Sequence, residues 1–437
     1  MSQRPNVLFL FTDDQRFDTL GVLGNREIRT PHMDELSRRG VAFTRAHIMG
    51  SYTAAVCIAS RSMLLTGRTL YRAPQHVPLT SALWPQVMRE HGYATWSTGK
   101  WHNDAGAFTR GFERGDKIFF EGMSNHLEVP VHDFDPSGAY PKEKRYIGKK
   151  FSSELFTDAA VDFLRRYDED RPFFAYVSYT APHDPRMAPA QYDRLYDRSR
   201  IELPASFMPR HPFDNGEMTI RDEVLAPSPR TPEIVREHIA AYYAMITHLD
   251  DQIGRVLAAL EECGHADNTI IIFAGDNGLA VGRHGLLGKQ NLYDHSIRVP
   301  LSISGPGLPA GAVCEADCYL HDVFPTICEL TGLPIPDTVE GLSLLPVVRA
   351  ERPYARPSMF FAYMSCQRAV REGRLKYVQY DVGGCKTVQL FDVENDPAEV
   401  HDLAGDPQHR LDCERLRERL AEWQAALDDP LAGEWPV

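Results

Sequence analysis

The sequence predicts an α/β fold: a large, mostly parallel sheet sandwiched by helices, followed by a small C-terminal antiparallel sheet plus helix. Three observations carry this expectation. Four short apolar runs do not alternate with polar residues, helical patterns separate them, and the chain changes character after a proline- and charge-rich stretch at residues 346–357.

The apolar runs are Asn6 to Thr12, Tyr93 to Thr98, Phe173 to Tyr179 and Thr269 to Ala274. They are continuous and β-rich, which marks strands buried on both faces. Between them, residues 151–167 place Leu155, Phe156, Ala159, Phe163 and Leu164 at helical spacing, and a longer helix opens near Thr231-Pro232 and ends at Gly264. Strands alternating with helices give a mostly parallel sheet covered on both sides.

After residue 357 the strands come closely spaced: Met359 to Met364, Gln367 to Arg371, Leu375 to Tyr380 and Val388 to Phe391, with a hairpin turn at Glu372-Gly373. A final helix carries Leu411, Leu416, Leu420, Trp423 and Leu427 on one side. The expected organisation is a large α/β domain over 1–350 and a small α+β subdomain over 351–437. Two segments, 121–150 and 184–230, are rich in Pro, Asp, Arg and His and fit neither pattern. Long loops in compact domains are usually functional, so these are expected as lids or substrate walls.

The 437 residues are ample for a large core, and 43% hydrophobic with 24% charged residues is ordinary for a globular chain. The net charge of -13 argues against a nucleic-acid or acidic-membrane partner, which would need a basic stripe. An anionic small substrate would instead need a local cluster of cations. The chain enters its first strand too soon after Met1 for a signal peptide, and no stretch is apolar enough to cross a membrane. The eight cysteines show neither a CxxC pair nor disulfide-dense spacing, so free thiols in a cytoplasmic protein are expected.

Each buried strand is followed closely by polar groups that a core would not want: Asp13-Asp14, Lys100 with His102, His183, and Asp276-Asn277. Ligands of parallel α/β sheets bind beyond the carboxyl ends of the strands, so all four sets should converge on one rim. Taken singly, either acidic pair could be a helix cap or a turn. Together they supply hard oxygen ligands, suited to calcium or magnesium and poor for zinc. A lone lysine is normally a solvated charge and a lone histidine a structural residue; His238 and His248, inside the long helix, and Cys314 and Cys318 are read that way.

Cys57 enters a helical stretch that continues through Arg61 and ends at Gly67. A helix N-terminus favours anions and lowers a thiol's pKa. Cys57 could still be a small buried hydrophobe, and a thiol phosphatase would want a longer gap between cysteine and arginine. The string Cys57-x-Ala59-Ser60-Arg61, with Leu65-Thr66-Gly67-Arg68, resembles the signature of the type I, formylglycine-dependent sulfatases of the alkaline phosphatase superfamily. The resemblance extends over nearly the whole chain: Asn6 to Asp14, Gly99 to His102, Ala181 to His183, Gly275 to Gly278, Gly288-Lys289, Leu390 to Asp392 and Asn395 to Pro397. One position departs from the commonest form, which has proline where this chain has Ala59. Alanine there looks like the substrate of some modifying enzymes and not others.

The resemblance implies that a formylglycine-generating enzyme acts transiently on the chain to convert Cys57, and that Asp13, Asp14, Asp276 and Asn277 hold one divalent cation, calcium ahead of magnesium, with residue 57 as a further ligand. It implies that the hydrated aldehyde attacks sulfur, that Arg61, Lys100 and Lys289 bind the sulfate oxygens, and that His183 or Lys289 protonates the leaving alcohol, His183 being preferred. His102 would then take a proton from the remaining hydroxyl and expel sulfate. If each fixed cation behaves like an oxyanion-hole donor, it is worth about 3 kcal/mol.

The expected reaction is therefore hydrolysis of a sulfate monoester, with a sulfated carbohydrate as substrate and Trp101, Asn103, His126, Arg186 and His284 as candidate subsite residues. A phosphodiesterase or phosphonate monoester hydrolase using the same site is the nearest alternative, because sulfate monoesters and phosphate diesters carry the same single charge. A non-catalytic anion-binding module is a third, if Cys57 stays a thiol. The alcohol, the sulfated position and the oligomeric state stay open at this level.

Overall fold

The computed structural model describes residues 4–75 and 79–434; the lead-in residues 1–3 lie outside it. Its large sheet has eight strands: β1 Asn6–Thr12, β2 Gly40–Phe43, β3 Ala94–Lys100, β4 Arg114–Phe119, β5 Phe173–Ser178, β6 Thr269–Gly275, β7 Leu301–Ser304 and β8 Ala312–Cys314. Their spatial order is β8-β2-β7-β6-β1-β5-β3-β4. All neighbours run parallel except β7, which is antiparallel to both β6 and β2. The four apolar runs are thus the four consecutive strands β6-β1-β5-β3. β1 is in register with β6 from Asn6↔Thr269 to Thr12↔Gly275, which sets Asp13 beside Asp276 at the strand ends.

Strand β1 is buried throughout because its two faces meet two cores. Val7, Phe9 and Phe11 point into one apolar cluster, and Leu8 and Leu10 into the other. The second core holds the amphipathic helices α1 Pro31–Arg39, α3 Ser152–Arg166 and α4 Pro232–Glu262. The first contains α2 Val56–Thr66, all eleven residues of which are buried, and α5 Val323–Thr331. Helix α2 ends where Gly67 takes φ 65° and its N–H returns to the Met63 carbonyl. A left-handed residue there suits glycine, and a Cβ would also press into Val339.

The C-terminal hairpin strands β9 Ser358–Tyr363, β10 Gln367–Glu372, β11 Leu375–Val382 and β12 Cys385–Asp392 are antiparallel, and α6 Arg410–Ala426 covers them. This sheet also takes in the two-residue strand Gly50–Ser51, and its apolar residues join the same core as β1 and α2. Leu416, Leu420 and Leu427 are buried as expected. Leu411 is not: it is 68% exposed. Of the two irregular segments, 121–150 contains a short strand pair and 184–230 only short helical turns. All eight cysteines are free. Among the described residues no helix is long and apolar enough to cross a membrane.

Candidate active site

The ends of β6, β1, β5 and β3 deliver Asp276-Asn277, Asp13-Asp14, the loop to His183, and Lys100 with His102 to one buried cluster. Lys100 Nζ lies 2.5 Å from Asp13 Oδ2, and both are fully buried. Asp14 sits at φ 66°, a conformation that costs a non-glycine residue on the order of 1–3 kcal/mol. It is held there from both sides: its N–H donates to Asp276 Oδ1 at 2.9 Å, and its carbonyl accepts from Tyr242 of α4 at 2.5 Å. This turn points the Asp14 carboxylate at residue 57, where Oδ1 accepts from Asn277 Nδ2 at 2.7 Å and Lys289 Nζ at 2.6 Å and lies 3.4 Å from Cys57 Sγ. Lys289 Nζ is also 3.0 Å from Cys57 Sγ.

Arg61, one turn along α2, is fully buried beneath this cluster. Its Nε donates to Asp276 Oδ2 at 2.9 Å, its Nη1 to the Lys100 carbonyl and Ser178 Oγ, and its guanidinium lies over the Phe11 ring at 4.7 Å. It acts from below on the carboxylates and on the backbone of Lys100. His183 Nε2 is 3.6 Å from Asp14 Oδ2, while its Nδ1 donates to the Asp184 carbonyl at 2.9 Å. His102, also left-handed at φ 52°, packs against Gly122, where a side chain would strike the imidazole.

Charge is crowded here. Burial alone would raise the Asp13 carboxyl, but Lys100, His183, Arg61 and Lys289 together hold it well below the usual range. Burial and Asp13 push Asp276 upward. Burial, with Lys100 and Arg61 nearby, keeps the His102 imidazole neutral. The Cys57 thiol is pushed up by burial and Asp276, against the pull of Lys289. The expectation of a thiol lowered by its helix is therefore corrected: burial first, and then the surrounding carboxylates, outweigh the helix N-terminus.

These residues suit a hard cation. Asp13 Oδ1, Asp14 Oδ2 and Asn277 Oδ1 are buried oxygens with no hydrogen-bond partner, which is costly unless something accepts their lone pairs. Ligand atoms of Asp13, Asp14, Cys57 and His183 all lie within 4.8 Å of one another. Three oxygens of this kind suit calcium or magnesium. Asp276 lies beside this group, acting on both Asp13 and Cys57, and its oxygens also accept from Asp14 N and Arg61 Nε.

The candidate subsite residues separate. Trp101 is a core residue, 1% exposed and packed edge-on against Phe108 and Phe112. His284 is equally interior, stacked on Tyr293 at 3.9 Å with Nε2 donating to the Glu399 carbonyl. Both are corrected to structural roles. His126 lies behind the site: its Nε2 donates to the His183 carbonyl at 2.9 Å and its Nδ1 meets Ser152 Oγ, so it positions the loop and touches no substrate. Asn103 is half-buried and fixed by Ser62 Oγ. Arg186 is half-buried, with Nη1 on His238 Nδ1 at 2.6 Å, so His238 has a partner near the site while His248 packs between Phe151 and Tyr192.

Several site residues were not anticipated. Arg221 grips both oxygens of Asp184, at 2.7 and 2.9 Å. Asp222 accepts from Gln290, and Glu223 accepts the N–H groups of Leu287 and Gly288, fixing the backbone ahead of Lys289. The segment 184–230 thus forms a wall of the site. Its irregular sequence, rich in Pro, Asp, Arg and His, marked it as a lid or wall, while nothing local singled out Arg221, Asp222 or Glu223.

Set at one rim of a parallel sheet, this arrangement defines an α/β enzyme that holds an anionic ester beside a carboxylate cluster able to bind a cation. The sulfatase family model matches residues 5–333, and the model described as N-sulphoglucosamine sulphohydrolase, C-terminal, matches residues 282–426. The chain belongs to the sulfatase family and is a hydrolase of sulfuric esters. It is 27% identical to an ulvan-active sulfatase of Formosa agariphila, over 96% of this chain and 81% of that protein. It is 30% identical to a multifunctional alkaline phosphatase superfamily protein of Trinickia caryophylli, over 98% and 96%. A protein solved in complex with its substrate D-glucosamine-2-N,6-O-disulfate superposes with a TM-score of 0.83 at 22% identity, over 99% and 100% of the chains.

Proposed function

We propose that this chain cleaves a sulfate monoester of a carbohydrate through a formylglycine made from Cys57, with a calcium ion on Asp13, Asp14, Asp276, Asn277 and residue 57. The observation that carries the reading is the meeting of Cys57 Sγ, Asp14 Oδ1 and Lys289 Nζ within 3.4 Å at the end of β1. The carbohydrate is supported by the substrates named for the Formosa relative and for the structural neighbour.

When bound, the cation would supply Lewis acidity and charge neutralisation at residue 57, whose hydrated aldehyde would supply the hydroxyls. The rest of the chemistry belongs to the chain. Lys289 and Lys100 bind sulfate oxygens, and Arg61 keeps Lys100 and Asp276 in place. His183 Nε2 passes a proton to the departing alcohol, with Nδ1 fixed on the Asp184 carbonyl. His102, held neutral by burial, accepts a proton from residue 57. All eight cysteines being unpaired supports a reducing, cytoplasmic setting.

The test is peptide mass spectrometry across Cys57 on protein made with a formylglycine-generating enzyme, followed by rates on an aryl sulfate and an aryl phosphodiester. An aldehyde with faster sulfate cleavage supports the proposal. Faster cleavage at phosphorus would move the chain to the phosphonate and phosphodiester hydrolases. A thiol that survives a maturase competent on the alanine form would leave an anion-binding module.

A further inference from the structure

Lys289 stands in a stretch, residues 287–293, that is buried but neither helix nor strand, so its backbone polar groups need partners from elsewhere in the molecule. Before the lysine, Glu223 takes the N–H groups of Leu287 and Gly288. The lysine's own N–H donates to Gln290 Oε1 at 3.0 Å, and Gln290 Nε2 donates to Asp222 at 2.8 Å. Beyond it, two carbonyls are answered from the C-terminal sheet. Gln367 Nε2 donates to the Gln290 carbonyl at 3.2 Å, and Lys376 Nζ to the Leu292 carbonyl at 3.1 Å.

Gln367 opens β10 and is fully buried. The same Nε2 also donates to the Asn215 carbonyl at 2.8 Å, so one amide ties both the wall segment 184–230 and the Lys289 loop to one strand. Its Oε1 has no partner among the described residues, which makes this side chain a poor choice for stability alone. Lys376 differs, because it also answers Asp294 and Glu399, and its loss would strand two buried carboxylates. The hairpin that carries Gln367 is itself tied to the other half of the site. Ala362 N donates to the Met49 carbonyl at 2.9 Å and Met364 N to the Ser51 carbonyl at 2.7 Å, on the segment that leads into α2 and Cys57.

We infer that Gln367 is a positioning residue for sulfate-ester cleavage: through the Gln290 carbonyl it fixes the peptide after Lys289, and so holds the ammonium 2.6 Å from Asp14 Oδ1 and 3.0 Å from Cys57 Sγ. The β9–β10 hairpin is the common reference, since it grips the lead-in to Cys57 on one side and the Lys289 loop on the other. A small displacement between two reacting partners is enough to cost rate. This inference rests on the reading of Lys289 as a sulfate ligand and extends it to a residue outside the cluster.

The experiment is a double-mutant cycle on the full chain: wild type, Gln367→Met, Lys289→Met and the double variant. Methionine matches glutamine in length and removes both donors. Two quantities are read: kcat/KM on an aryl sulfate for matured protein, and calcium affinity by calorimetry for protein made without the maturase. Gln367→Met is expected to lower kcat/KM about tenfold, the worth of one buried hydrogen bond. In the Lys289→Met background the same substitution should change kcat/KM less than about twofold, because the group it positions is gone. Calcium affinity should rise in Gln367→Met, since a displaced ammonium competes less for Asp14, and the double variant should bind no more tightly than Lys289→Met.

Non-additivity in either quantity sustains the inference. Additive effects in both, or no effect of Gln367→Met in either, overturn it, for Gln367 would then hold the fold without acting through Lys289. A general loss of packing is told apart by the same comparison, because it lowers melting temperature and rate alike in both backgrounds. If Gln367→Met does not fold, Gln367→Asn, which keeps the amide one methylene short of its carbonyls, carries the cycle. If Lys289→Met keeps the wild-type rate, the reading of Lys289 as a sulfate ligand fails on its own, and the calcium cycle decides Gln367. A gain in affinity that vanishes in the Lys289→Met background sustains the inference; an additive or absent gain ends it.

Discussion

Lys289 and Asp14 form a buried ion pair, Nζ to Oδ1 2.6 Å, at the point where a cation on Asp14 would bring its own positive charge. Burial alone would lower the lysine's pKa, but Asp14, Cys57 and Asp222 raise it well above its ordinary value. Lysine and cation therefore share one carboxylate and repel each other.

Replacing Lys289 with methionine should separate these roles. Without the cation, Asp14 loses its partner in a dry site, which costs about 3 kcal/mol of stability. Calcium, freed from that repulsion, should bind more tightly, while turnover of an aryl sulfate falls roughly a hundredfold or more for want of an oxyanion donor. Thermal melts with and without calcium, calcium calorimetry and initial rates read the three effects. Unchanged calcium affinity would show that the lysine does not compete for Asp14.

Chelation should act through the same orphaned oxygens. Asp13 Oδ1, Asp14 Oδ2 and Asn277 Oδ1 have no donor of their own, so calcium should raise the melting temperature of metal-free protein and Asn277→Ala should reduce that rise. Turnover lost to a chelator should return with calcium. A melting temperature indifferent to calcium would remove the cation from this site.

Much of this site was legible because strand ends are legible. A buried strand in a parallel sheet shows as an unbroken apolar run, and the first polar residues after it must lie at the rim; that argument located Asp13, Asp14, Lys100, Asp276 and Asn277. The links that cross the chain left no local signal. Arg221 reaches Asp184 across 37 positions, and Tyr242, in the middle of α4, is set against the Asp14 carbonyl by packing that no periodicity expresses. Trp101 and His284 misled for the opposite reason. Trp101 stands between the motif residues Lys100 and His102, and His284 four positions before Gly288, but nearness in sequence does not say whether a side chain faces the rim or the core, and only the third dimension decides.

The Arg221–Asp184 clamp makes a narrower prediction. Arg221 is 41% exposed on its side chain and Asp184 is buried, so Arg221→Ala should change stability by less than about 1 kcal/mol. Asp184 would then lose the partner that fixes it beside His183, and kcat should fall about tenfold with a smaller change in KM. A kcat equal to wild type would mean that the loop holds His183 without the clamp.

Acid stability follows from buried histidines outside the catalytic set. Burial pushes His248 and His321 down to about 4 and His284 to about 3, against about 6.5 in an unfolded chain. Between these limits the unfolded state binds protons that the folded state refuses, so stability rises with pH there. The stability is fully present above about 6.5 and is lost as pH falls toward 4, each histidine contributing about 1.4 kcal/mol per pH unit in the interval. His284→Gln should lower stability at neutral pH, since it removes the stack on Tyr293. It should also flatten the dependence of urea unfolding on pH between 6 and 4.5 by about one proton. The slope is the informative quantity, because lost packing shifts the curve without tilting it; a parallel shift alone would mean that His284 already takes up its proton in the folded protein.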